Sequence, residues 1–201
     1  GPGSSDSKKN VLKNIKFVIK KINNKSKKIV LLNQIHSNNF HFINKNLKTP
    51  SNKLTGDALI TNKKNTAIGI LTADCAPILL HDETNKMIAA IHAGWKGAYK
   101  GIIEKVIKFM IKEGCSPKNI TAVIGPCISV NSYQVRQNFI KKFMQQSKKN
   151  KVFFKKIRDK NYFNLNKYIY FQIKRLKIKK IDIIKKDTFI TKNNFFSARR
   201  S

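Results

Sequence analysis

Short apolar segments separated by turn-forming residues dominate the first half of the chain and restrict it to a sheet-based fold. They cover residues 29–32, 58–61, 66–71, 78–80 and 87–91. Asn, Asp, Gly and Pro residues lie between them, as expected of strands joined by tight connections. Polar residues do not alternate with apolar ones within the segments, which predicts strands that are covered on both faces.

The second half of the chain adds helical periodicity. Apolar residues recur at the spacing of one helical face over residues 103–110, and Gly114 fits a left-handed stop after this helix. The same criteria predict strands at 120–124 and 181–184 and helices at 135–144 and 165–176, the last one capped by Asn164. The lysine-rich residues 147–151 are predicted to form a mobile loop.

This order of elements predicts one α/β domain with a mixed sheet flanked by helices over residues 6–201. A chain of 201 residues with 41% hydrophobic content can bury one substantial core. Residues 1–5 are interpreted as a cloning remnant and take no part in the predicted fold.

The net charge of +32 would ordinarily indicate a polyanionic partner. The lysines, however, are spread through almost every segment and are accompanied by abundant Asn and Ile, the pattern that an AT-rich genome produces at unconstrained positions. No helix-turn-helix or aromatic RNA-binding signature accompanies them. The sequence therefore predicts no nucleic-acid partner, and an alternative as a polyanion-binding module remains open.

The number of cysteines and the hydropathy of the chain favour a reducing compartment and no membrane-spanning segment. The three cysteines, Cys75, Cys115 and Cys127, are an odd number without the spacing of a disulfide framework. The most apolar stretch, residues 66–80, is too short and too polar to span a bilayer. We expect a cytoplasmic protein that does not associate with membranes.

Three residues with metal-binding side chains follow or end predicted strands. They are His36, Cys75 and His92, and zinc takes His nitrogen and Cys sulfur at about 2.0 to 2.3 Å. Functional groups collect at strand ends because the backbone is exposed there on rigid elements. Asp74 precedes Cys75 in an apolar run, where an unpaired carboxylate would be costly. We therefore expect these side chains to converge within about 4 Å in an enzyme site.

Glycines surround the only tryptophan, directly after the second histidine. Gly94 and Gly97 flank Trp95, so that the backbone can approach a ligand while an aromatic plane lines the pocket. The block His92-Ala93-Gly94-Trp95-Lys96-Gly97 is thus typical of a binding site.

At these residues the sequence resembles the YfiH-like family, the laccase-domain proteins also called multicopper polyphenol oxidases and now described as purine nucleoside phosphorylases. The matching blocks, in chain order, are Gln34-Ile35-His36, Gly56-Asp57-Ala58-Leu59-Ile60-Thr61, Ala73-Asp74-Cys75-Ala76-Pro77, His92-Ala93-Gly94-Trp95-Lys96-Gly97, Gly125-Pro126-Cys127-Ile128 and Phe195-Phe196-Ser197-Ala198-Arg199-Arg200.

The resemblance implies a zinc site with the ligands His36, Cys75 and His92 and an open fourth position. Three protein ligands and an exchangeable position are typical of catalytic zinc. The implied activity is phosphorolysis of purine nucleosides such as adenosine, inosine and methylthioadenosine, with deamination of adenosine as a further activity. Asp74 or Asp57 would move the proton in deamination.

Phosphorolysis also requires an anion pocket. The cationic candidates beside Trp95 are Lys96, Arg199 and Arg200, since guanidinium groups match phosphate oxygens. The implied partners are therefore a purine nucleoside and phosphate.

Two other enzyme classes compete for the same residues. A multicopper oxidase needs many histidines and the chain has four, so copper is not expected. A cysteine hydrolase with Cys75 as nucleophile and His92 as base remains open, because a thiolate beside an imidazole is an activated nucleophile.

Overall fold

The computed structural model describes residues 6–22, 29–44 and 54–200. The proposed cloning remnant at residues 1–5 lies outside the described residues. The described strands are β1 (Ile29–Val30), β2 (Phe40–Ile43), β3 (Ala58–Thr61), β4 (Ala67–Ile68), β5 (Ala76–Asp82), β6 (Met87–Ala93), β7 (Ile120–Ile124), β8 (Gln134–Val135), β9 (Phe154–Ile157), β10 (Lys160–Phe163) and β11 (Lys180–Ile183). The described α-helices are α1 (Lys8–Ile22), α2 (Trp95–Tyr99), α3 (Ile102–Lys112), α4 (Gln137–Gln146) and α5 (Leu165–Arg175), and 3-10 helices cover Lys148–Phe153 and Thr191–Asn193.

A six-stranded mixed sheet organises the fold, as predicted. Its strand order is β11-β7-β5-β6-β3-β2. The two outer pairs, β2 with β3 and β7 with β11, are parallel, whereas the pairs between them are antiparallel. In the centre, β5 and β6 pair along their whole length, which places Pro77 opposite His92. This register fixes one residue of the candidate site.

The two faces of the sheet are covered to different extents. The predicted complete burial is confirmed for β3, where Leu59 packs with Val30 and Leu32 on the side opposite to the main core. The prediction is wrong for the segment at 78–80, because β5 alternates between buried and exposed residues and Leu79 is 55% exposed. The small cluster that covers β3 does not include β5, so only one face of β5 is fully buried.

Helices α3 and α5 pack on the main core as their sequences predict. The apolar face of α3, including Val106 and Met110, is fully buried, and Gly114 follows this helix with a φ of 97°. Asn164 caps α5 by accepting a hydrogen bond from the backbone N–H of Lys167 at 2.9 Å. The helix therefore begins where the sequence places it.

Two expectations for residues 134–163 need correction. The helix predicted at 135–144 begins only at Gln137, because Gln134–Val135 pairs with β10 as strand β8. The predicted mobile loop at 147–151 is part of a 3-10 helix. There the side chain of Ser147 accepts the backbone N–H of Lys149, and buried Asn150 donates to the Phe143 carbonyl at 2.8 Å. These polar contacts fix a segment whose lysines suggested a loop.

Helix α1 was not predicted. Its apolar residues lie on one side, but none of its residues is buried, and Phe17 is 61% exposed. Among the described residues, no helix is long and apolar enough to cross a bilayer.

Candidate metal centre

Three different segments supply the side chains of the candidate metal centre. His36 lies in the loop between β1 and β2 with a positive φ of 57°. Cys75 immediately precedes β5, and His92 is the penultimate residue of β6. Because β5 and β6 are adjacent in the sheet, Cys75 and His92 lie at the same end of neighbouring strands. The loop that carries His36 then folds over this end.

The three side chains converge, at a somewhat wider spacing than the predicted value of about 4 Å. One ligand atom from each of His36, Cys75 and His92 can be chosen so that all lie within 4.8 Å of one another. Nε2 of His36 is 3.7 Å from Sγ of Cys75. Tetrahedral zinc with the usual bond lengths sets sulfur and nitrogen ligands about 3.6 Å apart, so this pair already has the required separation. The donor set and its spacing therefore fit a single zinc ion after small side-chain rotations.

Gly94 makes this convergence sterically possible. A Cβ at this position would lie 2.7 Å from Sγ of Cys75 and 3.1 Å from Cδ2 of His36. The first distance is shorter than real Cβ contacts permit. The residue after β6 must therefore be glycine for the imidazole and the thiol to approach the backbone.

Asp57 holds two of the candidate ligands in place. Its fully buried carboxylate accepts Nδ1–H of His92 at 2.8 Å and the backbone N–H of His36 at 2.9 Å. It also accepts the backbone N–H and the hydroxyl of Ser37, both at 2.6 Å, and the backbone N–H of Ile35 at 3.3 Å. Burial raises the pKa of the Asp57 carboxyl, but these hydrogen bonds outweigh it and hold the pKa below its ordinary value. An ionised carboxylate with so many donors orients the metal-binding side chains, and proton transfer by Asp57 stays a prediction.

The Nδ1 contact also determines which atom of His92 is available. Nδ1–H donates to Asp57, so Nε2 carries the free lone pair. Burial, with a contribution from His36, lowers the pKa of His92 in spite of the opposing effect of Asp57. A neutral imidazole with Nε2 free is the form that binds metals.

The pKa of the Cys75 thiol is shifted in the opposite direction from that of an activated nucleophile. Burial, followed by the charges of Asp74 and Asp57, raises the pKa of its thiol to about 11. A cysteine nucleophile needs a lowered pKa, whereas a bound cation would itself stabilise the thiolate. The surroundings of Cys75 therefore suit a metal ligand and do not suit the cysteine hydrolase alternative.

Asp74 connects the candidate centre to the segment at 188–199. The backbone at Asp74 has a φ of 82°, and its carboxylate accepts the hydroxyls of Thr188 at 2.7 Å and Ser197 at 2.9 Å. The backbone N–H of Arg199 donates to the same carboxylate at 2.8 Å. Asp74 thus has the partners that its buried position demanded. Both of its oxygens accept hydrogen bonds, so Asp74 anchors this segment, and its role as a proton carrier stays a prediction.

A pair of hydrogen bonds from Gln34 joins two of the ligand-bearing segments. Its side-chain amide donates to the Leu71 carbonyl and accepts the Leu71 N–H, both at 2.7 Å. The sequence marked Gln34 only as part of a motif. Its contact with Leu71, 37 residues away, depends on the tertiary fold.

A cavity of about 230 Å³ opens beside the candidate ligands. Among the residues that line it are His36, Cys75, Trp95, Tyr133 and Arg199. Trp95, Tyr133 and Arg199 also line an adjoining cleft of about 680 Å³. Trp95, predicted to line a pocket, and Arg199, predicted as a phosphate ligand, both lie on these walls; the sequence did not single out Tyr133, which follows β7.

The structure does not place the other two predicted anion ligands on these walls. Lys96 is exposed, with Nζ 5.9 Å from the centre of the Trp95 ring, and it is absent from the lining of both spaces. The guanidinium of Arg200 donates to the carbonyls of Thr188, Phe189 and Phe195 at 2.6 to 3.2 Å. Arg200 therefore fastens the segment at 188–200, and its role as a phosphate ligand stays a prediction.

Comparison with known proteins gives the family of the chain. The family model described as "multi-copper polyphenol oxidoreductase laccase" matches residues 1–201. The chain belongs to this YfiH-like, laccase-domain family. Among curated members, purine nucleoside phosphorylase RP494 of Rickettsia prowazekii is 35% identical over 179 residues, which are 88% of this chain and 72% of the relative. Purine nucleoside phosphorylase CA_C1699 of Clostridium acetobutylicum is 39% identical over 118 residues, 58% of this chain and 48% of the relative.

Solved structures of family members share the fold. The Bacillus licheniformis hypothetical protein YfiH superimposes with a TM-score of 0.88 at 25% identity, covering 100% of this chain and 79% of that one. The Neisseria meningitidis protein NMB0706 gives a TM-score of 0.86 at 25% identity, with the same coverage. The predicted fold and family are thus confirmed.

The copper in the family's description has little support in the donor set. Within residues 6–22, 29–44 and 54–200, His36, Cys75 and His92 form the single group of three or more such side chains that could hold a metal ion. Of the other histidines, His41 contacts the Thr55 carbonyl through Nε2 at 2.8 Å, and His81 lies on β5. One three-residue group cannot hold several copper ions.

Proposed function

We propose that this protein is a zinc-dependent purine nucleoside phosphorylase that acts on adenosine, inosine or methylthioadenosine. The observation that carries the proposal is the grouping of His36, Cys75 and His92, of which His36 and Cys75 line a cavity together with aromatic rings and Arg199. Relatives that cover most of the chain bear the name of this activity.

The chain's own residues divide the binding tasks. Nε2 of His36, Sγ of Cys75 and Nε2 of His92 would hold zinc, and Asp57 would keep the His92 ring in the correct tautomer. Bound zinc would supply a Lewis acid at the edge of the cavity. Trp95 and Tyr133 provide aromatic faces on which a purine can stack.

The chemical step transfers a ribosyl group. An oxygen of phosphate forms a bond to C1′ of the ribose as the bond from C1′ to N9 of the purine breaks. The purine takes up a proton, and the products are free base and ribose 1-phosphate. Arg199 is placed to attract the phosphate dianion, because its guanidinium lies 4.9 Å from the Tyr133 ring centre and is held by one bond to the Gln134 carbonyl.

A product analysis tests the proposal. Metal-replete protein is incubated with each nucleoside, with and without phosphate, and the products are separated by chromatography. We expect adenine and ribose 1-phosphate from adenosine only when phosphate is present. Release of inosine and ammonia without phosphate would instead make the protein an adenosine deaminase, the other activity that the family resemblance implies.

Metal analysis separates zinc from its competitors. We expect about one zinc ion per chain after purification in zinc-containing medium, because the described residues form one such group. Copper at higher stoichiometry would contradict the assignment.

The proposed location is the cytoplasm, where nucleosides and phosphate are available. Cys75, Cys115 and Cys127 are free thiols in the structure, which is consistent with a reducing compartment.

A further inference from the structure

The cleft beside the candidate metal centre carries positive charge without acidic partners. Its lining of nine residues includes three cations, Arg136, Lys142 and Arg199, and no Asp or Glu. No ion pair connects any of the three with a carboxylate among the residues the structure describes. No carboxylate in the lining offsets their charge, so an anion in the cleft would be attracted by all three.

The arginines of this cleft differ from the scattered lysines. The chain has five arginines among its 42 basic residues, so lysine is the default cation. Arg136 and Arg199 line the cleft, and Arg199 also donates one bond to the Gln134 carbonyl and lies over the Tyr133 ring. Outside the cleft, Arg200 donates to carbonyls, Arg175 lies over the Phe171 ring and Arg158 is exposed in the turn between β9 and β10. A planar guanidinium is needed where an anion is bound through two oxygens. The concentration of arginine at this cleft is therefore not explained by the general lysine excess.

Aromatic rings contact two of the three cations, Arg199 and Lys142, and hold them in position. Arg199 lies over Tyr133, and Nζ of Lys142 lies 5.8 Å from the Trp95 ring centre and 5.4 Å from that of Tyr99. The Trp95 ring packs in turn against Phe139, with centres 4.9 Å apart. Cations stacked on packed rings lose little freedom when they bind a ligand.

The cleft also communicates with the metal-binding cavity. Trp95, Tyr133 and Arg199 belong to the linings of both spaces. A nucleoside bound at the metal centre would therefore lie beside the cleft that the three cations line. Helix α4 begins at the same cleft, and its first turn carries no acidic residue that would oppose an anion.

We propose that Arg136, Lys142 and Arg199 form a phosphate-binding site in this cleft, in place of the Lys96 and Arg200 expected from the sequence. The proposal rests on the proposed function and identifies the anion site of that same reaction. The phosphate group has two possible sources, inorganic phosphate as the co-substrate or the 5′-phosphate of a nucleotide substrate.

Calorimetric titration of metal-replete protein tests the site and distinguishes the sources. The ligands are inorganic phosphate, AMP and adenosine, and the variants are Arg136→Gln and Lys142→Gln. We expect each variant to bind the phosphate-bearing ligand roughly ten-fold more weakly and adenosine with unchanged affinity. A loss for inorganic phosphate identifies the co-substrate site, and a loss for AMP alone identifies the nucleotide phosphate.

Matched controls remove the same charges outside the cleft. Arg158→Gln and Lys141→Gln each delete one positive charge at a position that does not line it. Unchanged affinity for both phosphate and AMP in the cleft variants would overturn the proposal, as would equal losses in the controls. The readout is binding, so the site and the proposed function can fail separately. Phosphate affinity that depends on Arg136, without any nucleoside cleavage, would contradict the proposed function alone. Phosphate-dependent cleavage by a protein whose cleft variants keep their affinities would contradict the site alone.

Discussion

Replacing Asp57 by Asn should separate the folding of this protein from its ability to bind a metal. The Asn oxygen can take the position of Oδ2, where the N–H of Ile35 and both donors of Ser37 point. Its NH2 group then faces the backbone N–H of His36 and Nδ1 of His92. Two donors cannot satisfy each other, so the His36 N–H loses its partner.

The cost can be worked from these contacts. An unsatisfied buried donor costs about 1–3 kcal/mol, and the remaining bonds lose the advantage of a charged acceptor. Since Asp57 is fully buried, solvent does not compensate, and we expect a loss of about 3 kcal/mol in the free energy of unfolding. For a chain of this size that corresponds to a decrease of about 6–12 °C in Tm.

The effect on metal binding has a different origin. To accept a hydrogen bond from the new NH2 group at Nδ1, His92 must change tautomer, and Nε2 then carries a hydrogen in place of a free lone pair. We expect zinc affinity to fall by about 10- to 100-fold in the folded variant. The measurements are thermal unfolding of the metal-free protein and competition titration of zinc at a temperature where the variant remains folded.

Asp82→Asn is the matched control. Asp82 is equally buried and accepts the backbone N–H groups of Asn85 at 2.9 Å and Ser116 at 3.3 Å. It lies at the opposite end of β5 from Cys75, about 20 Å away along the strand. This variant should lose stability but retain zinc affinity. The reasoning is refuted if Asp57→Asn binds zinc as tightly as the unaltered protein, or if both variants lose affinity equally.

Three further predictions concern other groups. Cys75→Ala should abolish both nucleoside cleavage and zinc retention, whereas Cys115→Ala, at a buried position outside the metal-ligand group, should change neither. Zinc retained without activity in Cys75→Ala would favour a cysteine nucleophile. In metal-free protein at pH 8, Cys75 should react with iodoacetamide about 100-fold more slowly than a thiol of ordinary pKa, as measured by peptide mass spectrometry, because its pKa is raised to about 11; fast labelling would contradict its assignment as a shielded ligand. Burial raises the pKa of Asp187, but hydrogen bonds from Ser129 and Ser132 outweigh it and lower the pKa in the folded state. Asp187→Asn should therefore be less stable than the unaltered protein above pH 3.8, and the urea midpoints of the two proteins should converge as pH falls through the lowered folded-state pKa. A constant difference between the midpoints down to about pH 2 would exclude this linkage.

The sequence predicted correctly those strands and helices whose local hydrophobic pattern matches their burial in the fold. Strand β3 has the predicted ends because all four of its residues are apolar or small and completely covered. Helix α3 follows its apolar periodicity, and α5 its Asn164 cap. For residues 147–151 the prediction failed because the decisive contact, between Asn150 and the Phe143 carbonyl, involves a polar side chain in the interior.

The sequence pointed to the side chains that group at the candidate site, but not to the contacts that hold them in place. His36, Cys75 and His92 have side chains whose chemistry is visible without coordinates. The partners of Asp57 and Asp74 are not visible in this way, since the hydrogen bond from Ser197 to Asp74 spans 123 residues. The sequence showed that Asp74 needs partners, but only the fold identifies them as two hydroxyls and a backbone amide from the segment that follows β11.

The attachment of residues 197–199 to Asp74 has a kinetic consequence. Ala198 and Arg199 form part of the cavity wall, yet they belong to no strand of the central sheet. The segment is held by hydrogen bonds to Asp74, by the bond from Arg199 to the Gln134 carbonyl and by the bonds from Arg200 to three carbonyls. Opening of this segment would require far less free energy than unfolding of the sheet. Cleavage by a protease between β11 and Ser197 would therefore eliminate turnover while leaving the thermal transition of the core almost unchanged. Inactivation of this protein should follow the rate of this local opening and not its global stability.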